Sequence, residues 1–277
     1  TGAILAMVSS PSYDPNQLAS HDSGTAQSAW NSLSADEGQP MVNRAIGGDL
    51  YPPGSTFKIL TVAAALRDGK ANADTEMDAP DTLTLPGTNH ALSNYAGESC
   101  GNGKVKLSYA FAESCNTPFA QLAMDVGYKD LSSEAEAWGF DDSQSIPLTV
   151  TPSRFPETNS DAETAMAGIG QASVRATPLM MAQVAGTIAN GGDQMKPYLV
   201  AQTLDSDLNV VDTTTPKVAR TPISSQTAQA LSSLMQQAVS DGTGSSAQVA
   251  GVSVAGKTGT AETGSGDGGP VTWFVGF

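Results

Sequence analysis

Histidine, cysteine and positive charge are all scarce in this 277-residue chain, which has two His, two Cys and 13 Lys+Arg against 28 Asp+Glu, a formal net charge of −15. Each shortage removes a class of function. His21 and His90 stand in polar stretches beside turn residues, with no carboxylate or second histidine at ligand spacing. Metal sites need three or four clustered ligands, so these residues argue against a zinc enzyme, and neither a metal nor another cofactor is expected. An acidic chain with no Lys/Arg run repels phosphates, which argues against nucleic acid as a partner. The longest apolar stretch, residues 59–66, is far short of the roughly 20 residues that span a bilayer. Charged residues make up 15% of the chain, below the roughly 25% of an average domain. At this length a chain can still bury about three quarters of its unfolded surface, so a full core needs neither metals nor many disulfides.

What is present is organised by clear punctuation. The chain opens Thr1-Gly2-Ala3-Ile4-Leu5-Ala6-Met7-Val8, which reads as a strand entered without a targeting segment. The expectation is a domain whose membrane anchor or leader lies upstream. Residues 9–38, rich in Ser, Pro, Asp and Asn, read as a surface excursion. Helices are predicted over 55–67, where Ile59, Val62, Ala63 and Leu66 form an i, i+3, i+4, i+7 stripe, and over 107–113. Further helices are predicted from the Thr117-Pro118 start to Gly127, from Thr177-Pro178 to Asn190, and over 225–239. Residues 252–261 and 271–277 read as strands joined by a hairpin loop over 263–270. Helices in the middle and strands at both ends predict a sheet built from the termini, with a helical region inserted.

Where histidine is nearly absent, a serine nucleophile needs another base. Lysine serves if burial and a neighbouring cation make it neutral near pH 7. Ser55-Thr56-Phe57-Lys58 offers that pair, since residues three apart on a helix are neighbours and this face also carries Ile59 and Val62. No other lysine has a serine three residues before it. Ser114-Cys115-Asn116 occupies the connector between two predicted helices, where a hydroxyl and an amide are held in fixed relation. Lys257-Thr258-Gly259-Thr260 lies on the predicted C-terminal strand, where Gly256 and Gly259 leave room for a peptide to lie alongside. Taken singly, each has an ordinary explanation: a capping serine with a solvated lysine, an inter-helix turn, and a strand loosened by glycine.

Jointly and in this order, the three motifs resemble those of the penicillin-recognising serine acyltransferases. The likeness to a penicillin-binding protein covers nearly the whole chain. N-R-A at 43–45 followed by Y-P-P-G-S-T-F-K at 51–58 resembles the class B transpeptidase domain, as do G-I-G-Q at 168–171 and A-T-P-L-M-M-A at 176–182. S-D-G-T-G at 240–244 and A-G-K-T-G-T-A-E at 255–262 complete the set, which is most similar to the penicillin-binding protein A type of actinobacteria. The resemblance implies an α/β (α+β) chain with the β-lactamase/transpeptidase-like fold, a central, mainly antiparallel sheet flanked by helices plus an all-helical subdomain. One domain over 1–277 is expected. The chain stops at Phe277, where the family continues with another strand and a final helix.

The resemblance also implies roles. Ser55 is the expected nucleophile, Lys58 its base, Ser114 a proton relay, and Asn116 a holder of Lys58 and substrate. Lys257 is expected to keep Lys58 neutral, with Thr258, Gly259 and Thr260 binding the substrate carboxylate end. The backbone N–H groups of Ser55 and Thr260 form the expected oxyanion hole. The implied reaction is D,D-transpeptidation of peptidoglycan stem peptides at the outer face of the bacterial membrane. β-Lactams are expected as acylating ligands, and other wall-synthesis or division proteins as partners. A D-alanyl-D-alanine carboxypeptidase, a β-lactamase, a β-lactam sensor and a divisome scaffold remain alternatives. A β-lactamase needs a base for its deacylating water, and the nearest string to E-x-x-L-N, Asp205-Ser206-Asp207-Leu208-Asn209, reads as a hairpin turn. In an exported domain Cys100 and Cys115 form a disulfide contributing about 3 kcal/mol on the loop-entropy model, the alternative being two reduced thiols.

Overall fold

The computed structural model describes residues 1–261 and 269–277. The loop reading for 263–270 falls largely outside the described residues. Eight helices are described: α1 (Ser23–Ala35), α2 (Lys58–Arg67), α3 (Leu107–Ala112), α4 (Thr117–Val126), α5 (Tyr128–Trp138), α6 (Asp161–Gly168), α7 (Pro178–Ala189) and α8 (Ser225–Ser240). The strands pair antiparallel, β1 (Glu76–Ala79) with β4 (Gly103–Lys106) and β2 (Thr82–Thr84) with β3 (Ala91–Ser93). The pairing continues with β5 (Gln144–Ser145) against β6 (Thr149–Val150) and β7 (Gln194–Met195) against β10 (Val218–Arg220). It ends with β8 (Gln202–Leu204) against β9 (Val210–Thr213) and β11 (Gly256–Ala261) against β12 (Val271–Gly276).

The centre is an α-helical layer against the β11–β12 ribbon. Helix α2 is buried over 58–65 and packs on α4, α5 and α8, while α8 also covers β11. One continuous apolar cluster runs from Phe57 and Ile59 through Phe111, Phe119 and Trp138 to Leu231, Met235, Ala255 and Val275. It therefore joins the helical segment to the ribbon. Burying a Leu, Phe or Met side chain is worth about 1.5–3 kcal/mol, and this shared cluster is what holds the site's three pieces in register.

Several elements differ from the sequence reading. Residues 1–8 form a single bridge, Ala3 with Tyr198, instead of a strand. Ile4 and Met7 pack instead on a small second cluster of Ile46, Ile146, Val150 and Leu179, and Leu5 and Val8 face outward. The excursion over 9–38 contains α1, whose Asp22 cap accepts from the Thr25 N–H. The predicted 55–67 helix is a 3-10 turn, Gly54–Phe57, followed by α2. Helix α4 has Asn116 as its N-cap and Thr117 inside it, one residue earlier than the Thr-Pro signal indicates; Asn94 Oδ1, not Thr117, accepts from the first N–H groups, and the Thr117 hydroxyl donates to Pro80 O (2.7 Å). Helix α7 follows its signal, with Thr177 Oγ1 accepting from Met180 N. Helices α5 and α6 were not foreseen. The Asp205–Asn209 string is the exposed turn between β8 and β9, as read from the sequence, with Asp205 accepting from the Asp207 and Asn209 backbone N–H groups.

Candidate active site

The turn carrying Ser55 is built by close backbone approach. Pro52 and Pro53 end in Gly54, at a left-handed φ of 52°, and the Gly54 N–H donates to Gly170 O (3.0 Å). A Cβ on Gly54 would stand 2.6 Å from Thr260 O, so only glycine lets this turn lie against β11. Trp273 on β12 donates Nε1–H to Pro52 O (3.0 Å), pinning the same turn to the ribbon. Ser55 and Lys58 are 9% and 0% exposed.

Lys58 reaches the connection between α3 and α4. Its Nζ donates to Ser114 O (2.7 Å), Cys115 O (2.8 Å) and Asn116 Oδ1 (2.9 Å). Among the described residues no hydrogen bond joins Lys58 to Ser55. Ser114 holds a left-handed backbone, φ 59°, which is uncommon outside glycine and costs on the order of 1–3 kcal/mol. Ser114 meets both lysines, its carbonyl accepting from Lys58 and its hydroxyl from Lys257 Nζ (2.7 Å). Lys257 is also fully buried, from β11, and donates to Thr258 O (3.1 Å). The two ammonium groups lie over aromatic faces, Lys58 over Phe119 at 5.3 Å and Lys257 over Phe111 at 5.6 Å.

Burial, followed by the charge of Lys257, pushes the Lys58 amine well below the ordinary lysine range. Burial pushes Lys257 down to about 7, against an opposing pull from Glu113. The arrangement is therefore a serine beside two lysines that are both destabilised as cations. Chemically, this provides a hydroxyl to be activated, a lysine base and a second hydroxyl between two lysines.

The structure thus gathers Lys58, Ser114, Asn116 and Lys257 into one hydrogen-bonded set, with Ser55 on the adjoining turn and Thr258, Gly259 and Thr260 along β11. The room at Gly259 is filled by the protein's own turn. A Cβ there would stand 2.9 Å from both Pro53 O and Thr56 Cγ2. Gly256 likewise accommodates the Phe274 ring. The sequence reading that these glycines make space for a ligand is corrected accordingly. Two contributors escaped that reading. Thr243, inside the Ser-Asp-Gly-Thr-Gly segment, shares a hydrogen bond with Thr258 Oγ1 (2.6 Å), and Asn94 accepts from the Asn116 N–H (2.8 Å). Thr243 was within reach of the sequence, since its segment had already been singled out. Asn94 was not, because nothing local links it to residue 116. Cys100 and Cys115 are joined by a disulfide, with their Cα atoms 5.9 Å apart.

Fold and site together place the chain in the class of penicillin-interacting proteins. The family model for the penicillin binding protein transpeptidase domain matches residues 1–277, and the chain belongs to that family, in its class B branch. It is 44% identical over 281 residues to the peptidoglycan D,D-transpeptidase PbpA of Mycolicibacterium smegmatis, across 100% of this chain and 57% of that protein. The crystal structure of PBPA from Mycobacterium tuberculosis is similar with a TM-score of 0.95 at 43% identity, covering 100% of this chain and 63% of that one. The penicillin G acyl-enzyme complex of the same mycobacterial protein is similar with a TM-score of 0.93 at 43% identity, over 100% of this chain and 63% of that one. The chain thus spans a little over half the length of the PbpA it matches, 57%. No described helix is long and apolar enough to cross a membrane.

Proposed function

We propose that this chain is the catalytic part of a peptidoglycan D,D-transpeptidase that works through a serine acyl-enzyme. The observation that carries the reading is the pair of fully buried lysines meeting at Ser114, one of them three residues from Ser55. Lys58, neutral, takes the Ser55 hydroxyl proton on its lone pair as Oγ bonds to the carbonyl carbon between the two terminal D-alanines. To present that lone pair, Nζ releases one of its three oxygen contacts. The carbonyl π pair moves to oxygen, and the Ser55 and Thr260 backbone N–H groups stabilise that charge. The C–N bond then breaks, and Ser114, between the two lysines, hands its hydroxyl proton to the departing D-alanine nitrogen and is reprotonated with the proton that Lys58 took, so both end as they began. An amine of a second stem peptide attacks the ester carbonyl and gives its proton to Lys58, the C–Oγ bond breaks, Lys58 returns that proton to the Ser55 oxygen, and a crosslink remains. Thr258 and Thr260 receive the substrate carboxylate, with Gly259 between them on the strand.

A β-lactam mimics the substrate and leaves an ester on Ser55. The family resemblance also supports work at the outer face of the membrane, beside other wall-building proteins. A β-lactamase reading would need a base for water, and the Asp205 carboxylate is already engaged within its own exposed turn. The test is time-resolved labelling with fluorescent penicillin, followed by mass measurement of the adduct. A long-lived adduct on the native chain and none on Ser55→Ala is expected, and an adduct on Ser55→Ala overturns the reading. Incubation with a D-alanyl-D-alanine peptide and an acceptor amine then separates transfer from hydrolysis, the expected product being the crosslinked amide.

A further inference from the structure

We infer that Asn94 is a positioning residue for acylation, capping α4 from outside that helix and fixing the Asn116 amide on which Lys58 rests. This inference rests on the acylation reading above. Helix α4 begins with no hydrogen bond from its own N-cap side chain, and the first N–H groups of any helix need acceptors from elsewhere. Asn94, 7% exposed just beyond β3, supplies them. Its Oδ1 accepts from Asn116 N (2.8 Å) and Thr117 N (3.2 Å). The preceding residue completes the grip, since Ser93 O accepts from Asn116 Nδ2 (3.1 Å).

Together these bonds leave the Asn116 amide one orientation. Its donor end is fixed on Ser93, so its acceptor end must face Lys58 Nζ, 2.9 Å away. Reversing the amide would set Nδ2 against an amine that donates, and would lose the Ser93 bond as well. Two residues from the β2–β3 hairpin therefore dictate where the lysine amine rests. The Cys100–Cys115 disulfide fixes the position of Cys115, but not the direction of the neighbouring amide. Asn94 Nδ2 has no hydrogen-bond partner among the described residues, so the fold uses only the acceptor end of this side chain. Asn94→Asp is then the conservative change, and Asn94→Leu the one of similar size that removes the acceptor.

The test is the first-order acylation rate constant at saturating fluorescent penicillin, measured with the half-saturating concentration and the melting midpoint. That rate constant belongs to the folded molecules, so a smaller folded fraction lowers the amount labelled and not the rate. Asn94→Leu is expected to lose about tenfold or more in the rate constant, with half-saturation little changed, because small displacements of a catalytic group cost that much. At the high-pH plateau of its acylation profile, where the added carboxylate no longer keeps Lys58 protonated, Asn94→Asp is expected to stay within a few fold of the native chain. A native rate in Asn94→Leu overturns the inference. So does a tenfold loss on that plateau in Asn94→Asp at an unchanged melting midpoint, which decides the case even where Asn94→Leu fails to fold. Failure of the native chain to form any adduct at Ser55 overturns the acylation reading itself, and this inference with it.

Discussion

A lysine amine ringed by three oxygen acceptors is held by them as a cation, yet Lys58 is also wholly buried and shares its site with Lys257. The second influence prevails, since desolvation and a neighbouring positive charge both act against the protonated form. The same physics makes Lys257 a stability sensor. Its folded pKa, about 7, lies below its ordinary 10.5. Between those values the unfolded chain holds a proton that the folded chain has released, so unfolding free energy rises with pH, by at most about 1.4 kcal/mol per pH unit. Below about pH 7 both states are protonated, and the full cost of burying the charge is present. Lys257→Met removes this contribution. In urea unfolding at pH 7, 8 and 9 the native chain is expected to gain stability relative to Lys257→Met as pH rises. A constant difference across that range would count against a neutralised Lys257. Both lysines were legible in the sequence because serine and lysine three apart, and lysine before glycine on a strand, are local patterns. The route by which Lys58 meets Ser114 was not, since it depends on backbone carbonyls 56 and 57 residues away.

Between elements, the contact that matters most is the 3-10 turn Gly54–Phe57 lying against β11. Gly259 does not have a left-handed backbone, so alanine there meets no conformational penalty, only the clash with Pro53 O and Thr56 Cγ2. Relief of that clash moves the turn that carries Ser55. Gly259→Ala is therefore expected to slow penicillin acylation about tenfold or more, with a smaller effect on the melting midpoint. Native-like acylation would mean that the turn yields without displacing its serine. The elements missed in the sequence have physical reasons of their own. Helix α5 carries a buried stripe of Leu131, Glu134, Ala135 and Trp138, the same spacing that marked α2. A glutamate in the stripe disguised it. Glu134 is tolerated there because it accepts from Trp138 Nε1 (2.8 Å) and Arg67 Nη1 (2.5 Å). Helix α1 buries only Ala29, so its sequence carries no apolar period to read. Helix α6 did have a local signal, Ser160 accepting from Glu163 N with Glu163 reaching back to Asn159 N, the reciprocal pattern of a capped start.

Across the whole molecule, a net charge of −15 coexists with a site whose two lysines are inside the core. The acidity argues against polyanions, but it says nothing about a pocket that two buried lysines line locally. The same division between sum and placement applies to stability. One apolar cluster runs through the segments that carry Ser55, Ser114 and Lys257, so site and core are expected to unfold together. The Cys100–Cys115 bridge is different in kind. On the loop-entropy model it acts by restricting the unfolded chain, and it closes a sequence separation of 15. Its expected contribution is about 3 kcal/mol, equivalent to a melting shift of roughly 5–10 °C for a chain of this size. Reduction should therefore lower the melting midpoint by that amount. It should also raise the urea m-value, because the reduced unfolded chain expands and exposes more surface. A double Cys100→Ala, Cys115→Ala chain should reproduce both changes without reductant. If reduction leaves midpoint and m-value unchanged, the bridge contributes nothing to the balance between folded and unfolded chains.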